Sequence, residues 1–294
     1  MILVVGGSGV LGRVLVERLI ARGERVRVMT RTPTRHVAAW SSHVDVVGGD
    51  LRQPDTVKTA IHGCTTVVAA AHGFGAPDVS PATVDRAGNV TLIDAAQRVN
   101  ADVVLMSIVG ASPEHVGDLF RAKAAAEAYL QASNLSYSIL RCTAFMETWT
   151  NILGAPLRHG KNALVFGKGE NPINFVSVTD VAALLAQIVC DRSLRGETLE
   201  FGGVTNYTLS SLAALLSSAT GSTRAPRHIP RAALRALSLL MRPLKPDLAR
   251  QTGAALAMDT TDMRFDSRAV RARFAEISDT PLADVVARWA RTSL

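Results

Sequence analysis

The 294-residue sequence predicts an α/β protein, a doubly wound parallel sheet followed by a smaller, mainly helical C-terminal region. Three observations carry that expectation. Strand-like apolar runs alternate with helix-spaced segments over about the first 140 residues, the period of repeated βαβ units. The first run, Ile2 to Val5, is apolar at every position and ends in glycines, as a strand buried on both faces requires. The alternation then loosens, and from Leu209 the pattern is mainly helical, interrupted at Pro226, Pro230, Pro243 and Pro246.

The elements follow in order. Val10, Leu11, Val14, Leu15, Leu19 and Ile20 recur at helical spacing after the first strand. Residues 25–31, 43–50 and 64–72 read as the second, third and fourth strands, with a helix over 53–63 that starts near Pro54 and stops at Gly63. A helix over 87–100 leads to a strand at 102–110, and an alanine-rich helix at 119–133 leads to a strand at 136–142. Within 174–191 a short strand precedes a helix that begins near Thr179 or Asp180, and 197–203 reads as one more strand. The expected organisation is a nucleotide-binding domain over 1–150 and a substrate-binding region over 151–294, with 173–203 returning to the first sheet.

Composition narrows the function classes. With 48% hydrophobic residues a sizeable core is available, and no uncharged stretch reaches the ~18 residues of a membrane span. The run before the glycines is too short for a signal-peptide core and lacks a basic flank. Cys64, Cys142 and Cys190 form no CxxC pair, which suits small buried thiols in a reduced, cytoplasmic protein. The net charge of +7 comes from arginines scattered without aromatic neighbours, which disfavours nucleic acid and fits an anionic cofactor or acidic ligand. The seven histidines form no HExxH or His/Cys cluster, so no metal is expected. Residues 167–171 lack P-loop spacing, and no G-x-S-x-G elbow occurs. In the basic segment 231–245, Leu234, Leu237 and Met241 share a helical face, which suits a packing helix or lid rather than membrane contact.

The first turn reads Gly6-x-x-Gly9-x-x-Gly12 between a buried strand and an apolar helix. In a Rossmann sheet this turn meets a dinucleotide pyrophosphate at a helix N-terminus. Gly6 makes the tight turn, Gly9 admits the phosphates, Gly12 brings helix and strand together, and Ser8 offers a hydroxyl; Val10 and Leu11 open the helix. At the end of the second strand stands Arg31, nineteen positions after Gly12, and no carboxylate occurs from Val26 through Val44. An Asp or Glu there would suit the ribose of NAD, whereas arginines suit the 2′-phosphate of NADP. Arg31 therefore favours NADP(H) over NAD(H). Arg13 is a further candidate, and Arg35 either joins the clamp or is a solvated loop charge.

These residues, with "GDL" at 49–51, "VDRAGNVTLIDAA" at 84–96, "LMSIVGA" at 105–111, "RAKAAAEAYLQASNLSYSILR" at 121–141 and "INFVSVTDVA" at 173–182, resemble the atypical short-chain dehydrogenase/reductase proteins. The likeness is to their NmrA-like and isoflavone-reductase-like group and spans roughly residues 1–205. It implies that Asp50 and Leu51 border the adenine, with a helix or turn cap as the alternative for Asp50. Ala70, Ala71 and His72 would run beside the ribose and pyrophosphate. Ser107 would lie near the nicotinamide or be a satisfied hydroxyl at a strand end, and Cys142, Thr143, Ala144 and Phe145 would contact the ring's far side.

Most members of that superfamily pair a tyrosine with a lysine four positions later, the lysine lowering the phenol pKa for proton exchange. Lys123 stands where the family lysine belongs, but Leu119 replaces the tyrosine. Tyr129, Tyr137 and Tyr207 have Ser133, Arg141 and Ser211 at that spacing, so no such dyad exists. Lys123 keeps three possible roles: proton transfer together with Ser107, cofactor contact, or a solvated helix charge. Phe74, Phe145, Met146 and Trp149 follow strand ends and suggest an apolar or aromatic substrate. The expected function is NADP(H)-dependent reduction of a small apolar carbonyl, enone or quinone, with a non-catalytic NADP(H)-binding sensor, regulator or assembly factor as the alternative.

Overall fold

The computed structural model describes residues 1–36, 40, 43–74 and 78–293, the side chains of Arg35, His36 and Ser293 excepted. Its first half is β1 (Ile2–Val5), α1 (Val10–Ala21), β2 (Val26–Thr30), α2 (Pro33–His36), β3 (Val44–Gly48), α3 (Pro54–Ile61) and β4 (Thr66–Ala69). There follow α4 (Ala87–Val99), β5 (Asp102–Ile108), α5 (Asp118–Gln131) and β6 (Tyr137–Cys142). The second half comprises β7 (Ala144–Phe145), α6 (Met146–Gly154), β8 (Leu164–Phe166), β9 (Ile173–Val176), α7 (Val178–Cys190) and β10 (Thr198–Phe201). It closes with β11 (Asn206–Tyr207), α8 (Leu209–Ala219), β12 (Arg227–Ile229), α9 (Arg231–Leu240), α10 (Pro246–Thr260), α11 (Arg268–Arg273) and α12 (Leu282–Ser293).

Apolar on both faces, β1 lies inside the sheet and pairs along both edges, with β2 (Ile2 opposite Val26) and with β4 (Ile2 opposite Thr66), all parallel. The seven-stranded sheet runs β10-β6-β5-β4-β1-β2-β3, the doubly wound order expected. Strand order reverses between β1 and β4, so the glycine loop after β1 opens at the switch point. Helix α1 buries Leu11, Leu15, Val16 and Leu19, while Val10, expected on the apolar stripe, is exposed beside the loop. A π-helical turn, Pro81–Arg86, leads into α4, with Ser80 and Thr83 capping each other's backbone N–H at its start.

The chain divides into two units, Met1–Cys142 with Val181–Glu200, and Thr143–Asp180 with Phe201–Leu294. The first change of unit falls at Cys142/Thr143, ahead of the expected boundary at 150. Of the segment 173–203, only β10 joins the large sheet, where backbone bonds such as Ile139 N–H to Glu197 O align it with β6. Strand β9 lies instead at the centre of a three-stranded sheet, because β7 and β11 satisfy both of its edges.

In the first unit Leu3, Val5, Leu92, Leu105, Leu130 and Ile139 form a core between sheet and helices. In the second, Ile173, Phe175, Leu212, Leu216, Val286 and Trp289 form another. Two of the three cysteines are buried as expected; Cys190 is exposed because α7 ends there. In α9 Leu234 is buried and Leu237 half-buried, with Met241 half-buried just after, so the expected stripe faces inward, while Leu239, Leu240 and Leu244 are exposed.

Candidate functional site

The turn after β1 depends on two glycines. Gly6 sits at φ +88°, and a Cβ there would stand 2.7 Å from the backbone of Ala70 and Ala71. That close approach brings the loop against the end of β4. At Gly12 a Cβ would lie 2.2 Å from Gly6 O, so only a hydrogen lets α1 rest on the turn. Gly9 is the N-cap of α1, no side chain caps that end, and its first turn carries no acid. The partial positive charge of the helix start is thus unanswered by a carboxylate of its own first turn. Arg13 donates from Nε to Ser8 O (3.1 Å), and Thr30 Oγ1 stands 3.5 Å from Ser8 Oγ.

Beside this loop, where β2 and β3 end, lies a cluster of four charges. Arg31 Nη1 is 2.7 Å from Asp78 Oδ2. Arg52, just beyond the close of β3, grips Asp50 through Nε (3.0 Å to Oδ1) and Nη2 (2.5 Å to Oδ2). Arg52 also donates from Nη1 to Asp78 O at 2.6 Å. Asp50 accepts from Arg52 N–H (2.9 Å), so it caps its own turn, and the Arg52 guanidinium holds its carboxyl below the usual range. Leu51 is buried against α4 and belongs to the core. Arg35 lies on α2, its side chain outside the described residues.

The residues after β4 and at the end of β5 form a second polar group. Lys123 on α5 is 6% exposed, which removes the solvated role. Its Nζ donates to Met106 O (2.8 Å) and pairs with Asp85 Oδ1 (3.0 Å). Asp85, wholly buried in the π-helical turn, accepts on Oδ2 from Gly73 N–H at 2.8 Å. His72 keeps exposed surface; Phe74 N–H donates to its Nδ1 (3.2 Å), so the neutral ring carries its proton on Nε2. Burial lowers the His72 pKa, Asp85 opposes that and Lys123 adds to it. Ser107 shares a strand face with Val103 and Leu105, the face that α5 covers. Its Oγ is buried with no hydrogen-bond partner among the described residues. Leu119, where the family tyrosine would stand, is half-buried.

The first unit thus gathers Gly6 to Gly12, Arg31, Asp50, Ala70 to His72, Ser107 and Cys142 at the C-terminal ends of neighbouring parallel strands. Thr143, Ala144, Phe145, Met146 and Trp149 belong to the second unit. There Thr143 Oγ1 lies 3.0 Å from Asn174 Oδ1, and the same oxygen accepts from Gly203 N–H at 2.9 Å. Met146 is buried in that unit's core, and Trp149 meets Phe166 edge to face with ring centres 6.3 Å apart. Glu147, beside them, accepts from Ser177 Oγ and Val178 N–H at the start of α7.

Sequence reasoning missed Arg52, Asp78 and Asp85. Arg52 was visible as an arginine two places after the adenine-side aspartate, a spacing that permits a local ion pair. Asp85 lies inside the quoted "VDRAGN", yet only folding brings it to Lys123. Among the described residues no group of three or more His, Cys, Asp or Glu side chains could hold a metal, and no helix is long and apolar enough to cross a membrane.

The group these residues fit is a dinucleotide: the glycine cradle would be filled by any Cβ, and the Ser107 hydroxyl has no partner among the described residues. A family model described as NAD(P)H-binding matches residues 6–192. The chain is 28% identical to the photosystem II assembly factor Ycf39 of Synechocystis sp. over 236 residues, covering 80% of this chain and 72% of that protein. It is 24% identical to quinone oxidoreductase 2 of Escherichia coli over 75% of each chain. The crystal structure of Citrobacter sp. triphenylmethane reductase complexed with NADP(H) superposes with a TM-score of 0.79 at 19% identity, covering 100% of this chain and 99% of that one. The glycine cradle and the family match together establish that the chain belongs to the NAD(P)H-binding family.

Proposed function

We propose that the protein is an NADP(H)-dependent reductase of small apolar acceptors of the quinone or enone type, in preference to a simple carbonyl. The observation that carries this reading is the state of Lys123. Its ammonium is committed to Asp85 and to Met106 O, and Leu119 supplies no phenol. An acceptor that takes its proton from water suits such a site better than an alcohol–ketone couple, which needs a positioned acid. A bound nicotinamide would supply the hydride. The chain's own part is to seat the pyrophosphate on Gly6 to Gly12, to offer Arg31 to the 2′-phosphate, and to present the Ser107 hydroxyl beside Lys123. The likeness to a quinone oxidoreductase and to a dye reductase supports this choice of acceptor.

A second reading, an NADP(H)-binding assembly factor without turnover, is favoured by the 28% identity to Ycf39 together with Leu119. NADPH oxidation against a panel of quinones, enones and azo dyes decides between them. Turnover with a quinone is the expected result; tight NADPH binding with no turnover on any acceptor selects the second reading. For the cofactor, Arg31→Ala should weaken NADPH at least about tenfold more than NADH, since a lost charge-assisted pair is worth roughly 1.5–3 kcal/mol. Equal losses for both would refute the 2′-phosphate role of Arg31.

A further inference from the structure

Arg31 and Arg52 rise from the same sheet edge, because β2 and β3 are adjacent and parallel with Thr30 opposite Gly48. One carboxylate oxygen serves both. Asp78 Oδ2 lies 2.7 Å from Arg31 Nη1 and 3.4 Å from Arg52 Nη2. We propose that Arg31 and Arg52 together form the seat of a phosphate monoester, the cofactor's ribose 2′-phosphate, and that the chain's own Asp78 carboxylate occupies this seat as an internal competitor. The proposal rests on the NADP(H) reading above and adds two residues to it.

The hydrogen-bond inventory supports the assignment. A guanidinium has five N–H groups. In Arg52, Nε and one Nη2 proton go to Asp50, and one Nη1 proton goes to the backbone carbonyl of Asp78. Those bonds hold the guanidinium in place without the Asp78 side chain. When that side chain swings out, the second Nη2 proton and the second Nη1 proton are left for an anion. Arg31 has no such brace from Asp50. It is half-exposed, as is Asp78, so their pair is the kind that solvent and salt weaken and that a better ligand displaces.

Charge arithmetic points the same way. Arg31, Arg52, Asp50 and Asp78 sum to zero, whereas without Asp78 the cluster carries one positive charge toward its ligand. A phosphate monoester dianion offers three acceptor oxygens to two guanidiniums, against a carboxylate's two, and so exchanges favourably. NADH has no group for this seat and leaves Asp78 where it is. Asp78 therefore sets how strongly the protein prefers one cofactor over the other.

The test is titration of the full chain with NADPH and with NADH, read by nicotinamide fluorescence, with thermal melting as a check on folding. Asp78→Asn should tighten NADPH by about three- to tenfold and leave NADH within about twofold. Arg52→Gln should weaken NADPH at least about tenfold more than NADH, and Arg52→Lys should fall between, because an ammonium restores charge but not the fork. Adding Asp78→Asn to Arg52→Gln should recover little of the loss. If Asp78→Asn leaves NADPH unchanged or weaker, or if Arg52→Gln weakens both cofactors alike, the shared seat is wrong. In that event Arg31→Ala separates the two levels: continued discrimination against NADPH preserves the parent reading, and equal weakening of both cofactors removes it as well.

Discussion

Replacing Asp85 by asparagine isolates the worth of the buried charge under the sheet edge. Lys123 Nζ lies 3.0 Å from Asp85 Oδ1, with the two side chains 7% and 0% exposed. Breaking such a pair by neutralising one partner strands the other charge away from water and costs about 3–5 kcal/mol. The amide oxygen that Asp85→Asn introduces can still accept from Gly73 N–H, now 2.8 Å from Oδ2, so we expect the lower end, about 3 kcal/mol. For a chain of this size that corresponds to a fall in melting temperature of roughly 6–12 °C. Urea denaturation followed by circular dichroism measures it. The double variant Asp85→Asn/Lys123→Met removes both charges and should return to within about 1 kcal/mol of the parent. A single Asp85→Asn variant that loses less than about 1 kcal/mol would refute the argument, since Lys123 would then have another partner or be readily neutralised.

Gly12→Ala should destabilise the protein by about 1–3 kcal/mol and abolish NADPH binding, because both nearest atoms are backbone and cannot step aside. Gly9→Ala, whose Cβ would lie 3.3 Å from Gly6 O, should be milder in a thermal melt. Burial raises the pKa of all three thiols, that of Cys142 well up, but only Cys190 is exposed, while Cys64 and Cys142 are buried. A maleimide at neutral pH should therefore label the native protein once, at Cys190, and mass spectrometry of the labelled peptide checks the position.

The strands of the large sheet were legible because each is an apolar or alternating run long enough to show itself, and turn glycines fall between several of them. The same logic failed in the second half. Strands β7 and β11 have two residues each, and β8 and β12 three, too short for any period to be seen. Their existence depends on partners distant in sequence, such as Arg227 opposite Leu164. Strand β9 misled for the opposite reason: its fully buried pattern suits the interior of either sheet, and only the pairing with β7 and β11 decides. At the site, residues bound by backbone geometry were readable, Gly6 and Gly12 above all. Side chains that depend on a distant partner were not. The absence of carboxylates from Val26 through Val44 argued for an anionic ligand at Arg31, yet folding brings Asp78 to it across 47 positions. Lys123 was noticed for its place in the family pattern, but nothing local revealed that Asp85 would neutralise it.

The return of β10 to the large sheet governs how the chain can be made. Strand β6 is complete at Cys142, but its outer neighbour begins only at Thr198, after β7, α6, β8, β9 and α7 have been synthesised. During translation β6 is therefore a bare edge for on the order of seconds, its backbone groups open to any passing strand. A ribosome that stalls between those points would hold out an adhesive sheet edge rather than a finished nucleotide-binding half. Cutting the gene at the end of β6 would yield the same species.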